Sequence, residues 1–147
     1  VWHYGCRWKC LVTGTTDEPR YAATGWAMIE GNPAFTIDID SSAGWAFDGG
    51  QLTDDVPFTT LTVTGTLYNR DVTAHILDDD ISWTRDTGNV SEDNAWAIKK
   101  AAAGKSLPLV ADDLGLEFRQ KGVCSFKCTA TLRDGQETLV TENIITF

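Results

Sequence analysis

The chain has 147 residues, 42% of them hydrophobic, and a net charge of −9, which suits one domain of ordinary size or a small domain with an appendage. Twelve scattered Lys and Arg against 21 Asp and Glu offer no basic face for phosphates, so neither nucleic acid nor an anionic membrane is an expected partner. No apolar run approaches the roughly 18 residues of a membrane-spanning helix, no basic-then-apolar start marks a signal peptide, and opening on Val1 points to a piece of something longer or a processed product.

In chain order, the first thirty or so residues crowd Trp2, Tyr4, Trp8, Tyr21 and Trp26 between Gly5, Gly14, Pro19 and Gly25. The pattern predicts one strand over 7–12 and a loop over 13–20. So small a unit cannot hold a core by apolar burial alone and must pack on the rest of the chain or on a partner. Glu30-Gly31-Asn32-Pro33 reads as a turn or linker. Phe35 to Asp40 alternates apolar and polar residues, a half-buried strand. Residues 41–55 read as a loop or weak hairpin anchored by Trp45 and Phe47. Phe58 to Tyr68 predicts a long strand whose apolar face is Leu61, Val63, Gly65 and Leu67. Asn69-Arg70-Asp71 turns the chain, and a short strand is expected over 72–76.

Ile81-Ser82-Trp83-Thr84-Arg85 is the next strand, and Phe126-Lys127-Cys128 comes about 45 residues later. An immunoglobulin-like sandwich has this order, a bulky aromatic on a central strand and then a Cys, here expected to face it from the other sheet. Ser91-Glu92-Asp93-Asn94 followed by Ala95 to Gly104 is the helical signal, with a polar cap, early acids and a closing Gly. It is short and needs Trp96 docked on the sandwich. A strand is expected over 106–110. Asp112-Asp113-Leu114-Gly115 reads as the tight turn feeding the Cys128 strand. Val123 to Leu132 and Glu137 to Phe147 form a hairpin joined at Arg133-Asp134-Gly135. The expected fold class is all-β: an immunoglobulin-like β-sandwich with one short helix, and a small aromatic-rich N-terminal β module. Its expected core includes Trp83, Trp96, Phe126 and Cys128.

The four Cys form two pairs, Cys6/Cys10 and Cys124/Cys128. Four residues along a strand separate Cα atoms by about 13 Å, too far for a disulfide within a pair, while a bridge between the two pairs is open to the sequence but not indicated by it. The strand before Trp83 carries no Cys, so the usual inter-sheet bridge is missing and Cys128 is expected as a free thiol. Three intervening residues per pair suit a zinc site poorly. Asp38-x-Asp40-x-Ser42 starts like a calcium loop, but Gly44 falls one place late and no Glu closes it. No metal and no cofactor are expected. Two His far apart and no Gly-x-Ser-x-Gly elbow indicate no catalytic constellation, and the chain is not expected to be an enzyme.

Two resemblances add to this reading. Trp2-His3-Tyr4-Gly5, then Arg7-Trp8-Lys9-Cys10-Leu11, Pro19 and Gly25-Trp26 resemble the short carbohydrate-binding modules of chitinases and phage tail proteins. That resemblance covers residues 1–31 and implies sugar stacking, with Trp8, Tyr21 and Trp26 as candidates; the competing reading makes these rings the module's own miniature core. Residues 32–147 resemble immunoglobulin-like modules of phage and prophage tail or tail-fibre proteins from Bacteroides-type hosts. The residues that carry this are Leu67-Tyr68-Asn69-Arg70-Asp71-Val72-Thr73, Ile81 to Asp86, Ser91 to Trp96, Gly104-Lys105-Ser106-Leu107, Asp112 to Gly115 and Leu132 to Gly135. Phe126 departs from antibody domains, which carry a corner Tyr there. The resemblance implies a structural or adhesive virion component, located in the tail or in the bacterial cytoplasm when expressed from a prophage. Its implied partners are other tail or fibre subunits, further domains of a longer chain, and a host surface glycan.

Overall fold

The computed structural model describes residues 1–31, 34–46, 52–133 and 138–147. The expected module boundary at 31/32, the Asn32-Pro33 turn, the Phe47 anchor and the Asp134-Gly135 hairpin tip fall wholly or partly outside those residues.

Among the described residues, three antiparallel sheets build the fold. The N-terminal sheet has the order β1 (Trp2–His3), β2 (Cys6–Cys10), β3 (Trp26–Glu30). In the first sandwich sheet, β4 (Thr36–Ser41) lies along one edge of β5 (Thr59–Leu67), while β6 (Arg70–Asp71) and β8 (Ser106–Leu109) share the other edge. The second runs β10 (Thr138–Thr146), β9 (Ser125–Arg133), β7 (Ile81–Asp86). The protein is an all-β, immunoglobulin-like sandwich with one short helix, α1 (Val90–Lys99), and a small N-terminal β module. A further helical turn, α2 (Phe118–Lys121), lies between the Ala111–Leu114 3-10 turn and β9.

Alternation makes this core. Along β5 the buried positions are Thr59, Leu61, Val63, Gly65 and Leu67, and along β9 they are Phe126, Cys128, Ala130 and Leu132. These faces meet Ile37 and Ile39 of β4, Leu107 and Leu109 of β8, Ile81 and Trp83 of β7, and Ile145 of β10. Burial of such side chains stabilises by about 1.5–3 kcal/mol each. Gly65 sits where Ile76 closes over β5; a Cβ there would lie 2.5 Å from Ile76 Cδ1. Trp83, Trp96, Phe126 and Cys128 are all buried.

Several local expectations are corrected. Cys128 does not face Trp83 from the opposite sheet. The two are direct cross-strand partners on β9 and β7, and residues so paired share a face with Cβ atoms about 4.5–5.5 Å apart. The segment expected as a strand over 72–76 is a 3-10 turn, Thr73–His75, because Asp71 Oδ1 accepts the Thr73 amide and folds the chain over. The turn before it sits at Tyr68 and Asn69, both at positive φ, and β6 pairs straight back on β5. The helix starts a residue early, capped by Asn89, whose side chain accepts from the Glu92 amide. Trp45 is 75% exposed and lies outside the buried core of the described residues.

Candidate functional site

Two surfaces carry the chemistry, one at each end of the sandwich. At the first end the N-terminal module packs on the Tyr68-Asn69 turn, on β6 and, through Tyr21, on the end of β9. A two-residue hairpin turn at Tyr4 and Gly5, both at positive φ, brings β1 back along β2. The alternation of β2 buries Cys6 and Trp8 and exposes Arg7 and Lys9. Trp8 meets the Tyr68 ring edge-on, with centroids 5.3 Å apart. The Tyr21 hydroxyl donates to the Arg133 carbonyl, and its ring packs edge-on against His75. Tyr21 thereby joins the sandwich core.

Around this contact lies a polar cluster. Glu18 Oε1 accepts from His3 Nε2 at 2.8 Å and lies 2.9 Å from Arg70 Nη1. The hydrogen bonds from Arg70 and then from His3 hold the Glu18 carboxyl below its usual range. The Arg70 guanidinium lies 4.4 Å over the Tyr4 ring, and Asn69 Nδ2 donates to the Tyr4 carbonyl.

This geometry rearranges the sugar-stacking candidates. Trp8 is 4% exposed and Tyr21 is 7% exposed. Neither ring offers a face to a ligand, because both are spent on packing the N-terminal sheet. Trp26 is half-buried, with its indole N–H donating to the Asp17 carbonyl. The open aromatics are others: Trp2 is 64% exposed and Tyr4 is 55% exposed. Strand parity could have found Trp2, since it pairs with the outward Arg7 while Trp8 takes the inward position.

The second surface lies under α1 at the opposite end. Here β7 places Arg85 on the same inward face as Trp83. A buried cation needs partners, and they are provided. Arg85 Nε donates to Asp93 Oδ1 at 2.8 Å, and Nη1 donates to the Asp113 carbonyl at 3.0 Å. Asp93 also accepts from the Thr87 amide and hydroxyl. The Asp113 carboxylate, 1% exposed, accepts from Trp96 Nε1 at 2.8 Å, Lys100 Nζ at 2.9 Å and the Val110 amide at 2.8 Å. This network ties the helix, β7 and the Ala111–Leu114 turn together. Sequence reading missed it, although an Arg at an inward position of an alternating strand is its signal.

Two depressions open beside it. One, of about 310 Å³, is lined by Arg85, Glu92, Trp96, Lys99 and Asp112 among others. The other, of about 550 Å³, is lined by Leu52, Asp54, Leu114 and Phe118, and shares Asp112, Gly115 and Leu116 with the first.

The thiols form no disulfide: Cys6, Cys124 and Cys128 are buried, and Cys10 is exposed. Burial pushes the Cys124 and Cys128 thiols up to about 12, which makes them inert as nucleophiles. Among the described residues no three His, Cys, Asp or Glu side chains gather to hold a metal, and no helix is long and apolar enough to cross a membrane. Comparison of the chain with protein families, with curated proteins and with solved structures found no match.

Proposed function

We propose that the chain is a non-enzymatic structural module of a phage or prophage tail or tail-fibre protein, with the sandwich acting as a rigid spacer. The observation that carries this reading is the joint between the N-terminal sheet and the sandwich. Tyr21 is buried in the common core and hydrogen-bonded to Arg133, and Trp8 packs on Tyr68. A sheet held this way transmits orientation instead of swinging on a linker. Partners would be neighbouring tail subunits or further domains of a longer chain. Peptide mass spectrometry of purified phage particles tests it. Peptides of this chain should co-purify with tail proteins; finding them in infected cells but never in particles would overturn the reading.

A second reading, glycan binding through the N-terminal aromatics, has one observation in its favour: Trp2 presents an open ring beside Arg7. Stacking on such a face uses the apolar and electrostatic character of the ring. On a bacterial-surface glycan array, Trp2→Ala should lose binding while Trp8→Ala loses stability. Retained glycan binding by Trp2→Ala would remove this reading and leave the spacer reading untouched.

A further inference from the structure

We propose that the smaller depression beside α1 is a binding subsite for a neutral polyhydroxylated ligand, a sugar residue. It lies at the far end of the sandwich from Trp2 and stands independently of the N-terminal surface.

A buried guanidinium here keeps one nitrogen without a hydrogen bond. The Arg85 side chain is 5% exposed. Its Nε and Nη1 are engaged by Asp93 and the Asp113 carbonyl. Nη2 makes no hydrogen bond among the described residues, and Glu92 Oε2 stands off from it at 3.9 Å. Among the described residues no sealed polar side-chain atom lacks a partner, so Nη2 is not fully sealed. The open space next to Arg85 is the 310 Å³ depression that this residue lines. The guanidinium is thus held through Nε and Nη1, 5.6 Å from the Trp96 ring centre, with Nη2 left without a hydrogen bond. A hydrogen-bond donor fixed in place and left unused is what a ligand group needs, because no ordering cost attaches to it on binding.

The lining selects the class of ligand. Its charged groups are Arg85, Lys99, Glu92 and Asp112, two of each sign. An anion drawn to Nη2 meets Glu92 and Asp112, and a cation drawn to the carboxylates meets Arg85 and Lys99. A hydroxyl group both donates and accepts. Neighbouring hydroxyls can accept from Nη2 and donate to Glu92 or Asp112 without a net charge. Ala95, Trp96 and Leu116 supply apolar wall for the C–H face of such a ring. Gly115 keeps the wall thin, since a Cβ there would fall 2.9 Å from Thr87 and 3.7 Å from Arg85 Cζ. The volume is at the small end of ligand sites, about 300–1,000 Å³, and the adjoining 550 Å³ depression gives room for a second residue of a glycan chain.

The test is a nitrogen–proton NMR titration of the whole chain with free glucose, galactose, mannose and N-acetylglucosamine, and separately with acetate and phosphate. At least one sugar should shift the Trp96 Nε1–H, Arg85 Nε–H and Gly115 signals saturably. Glu92→Ala, a change at a one-third-exposed side chain, should weaken that binding about tenfold, the loss of one charged hydrogen bond, with the rest of the spectrum unchanged. Trp2→Ala should bind as tightly as the parent. The proposal is overturned if no sugar shifts these signals, if acetate or phosphate shifts them and sugars do not, or if Glu92→Ala binds unchanged.

Discussion

Asp113→Ala should remove much of the molecule's stability through a single carboxylate. Three donors converge on it, and removal leaves the Trp96 indole N–H and the Val110 amide facing a gap in a site that is 1% exposed. Each buried unsatisfied donor costs about 1–3 kcal/mol. Lys100 is 17% exposed and can turn its ammonium to water, so its share is an ordinary ion-pair loss of up to about 1 kcal/mol. The expected total is about 2–7 kcal/mol, against a whole-domain stability of about 5–15 kcal/mol. Asp113→Asn keeps one acceptor oxygen for Trp96 but turns an amide N–H₂ toward Val110 or Lys100, so its cost should fall between wild type and the Ala variant. Urea unfolding followed by Trp fluorescence measures both, with the slope in urea unchanged if only stability moves. A loss below about 1 kcal/mol for Asp113→Ala would refute the reasoning, because two buried donors cannot go unanswered at so small a cost.

Trp83→Ala, which opens a hole between the sheets and strands the Gly104 carbonyl that accepts its indole N–H at 2.9 Å, should cost about 3–5 kcal/mol by the same unfolding assay. Stability should fall as pH rises from the ordinary thiol range toward about 12. Cys124 and Cys128 hold their protons in the fold, whereas the unfolded chain gives them up earlier, so the contribution is fully present below the unfolded value. The slope should reach about 1.4 kcal/mol per pH unit per thiol and flatten in a Cys124→Ala/Cys128→Ala variant. Thiol titration of the denatured, unreduced protein should find Cys128 free; a disulfide there contradicts the pairing argument. Tyr21→Ala should release the N-terminal sheet to limited proteolysis while the sandwich resists; equal protease resistance of both parts would show that the joint does not depend on Tyr21.

The sandwich was legible because two-residue alternation is a short-range signal: Leu61, Val63 and Leu67 on one strand, and Phe126, Cys128 and Leu132 on another, are buried as the pattern requires. The helix was legible for the same reason, with its acids, Ala and Lys in sequence. What composition could not supply was partner identity. Trp8, Tyr21 and Trp2 are equally aromatic on paper, and only the packing on Tyr68 and Arg133 separates the buried pair from the open ring. The network of Arg85, Asp93 and Asp113 joins residues up to 28 positions apart, so no local pattern announces it. Val72 to Ile76 misled because its β-branched residues, Val72, Thr73 and Ile76, suit a strand, whereas the Asp71–Thr73 side-chain turn folds the chain over.

The direction of β10 has a mechanical consequence. It is paired residue for residue with β9 from Thr138↔Arg133 to Thr146↔Ser125, and Phe147 closes the ladder against Cys124 at the end away from the N-terminal sheet. A pull applied between the N-terminal sheet and Phe147 runs along the strands, so the ladder is loaded in shear and its hydrogen bonds share the force together. Peeling would break them singly. Asn143 adds a clasp across to the Ile37 carbonyl at 2.8 Å, tying the last strand to the opposite sheet. A molecule strung this way yields late under axial tension and early when β10 is tugged sideways, an anisotropy that single-molecule stretching along the two axes would resolve.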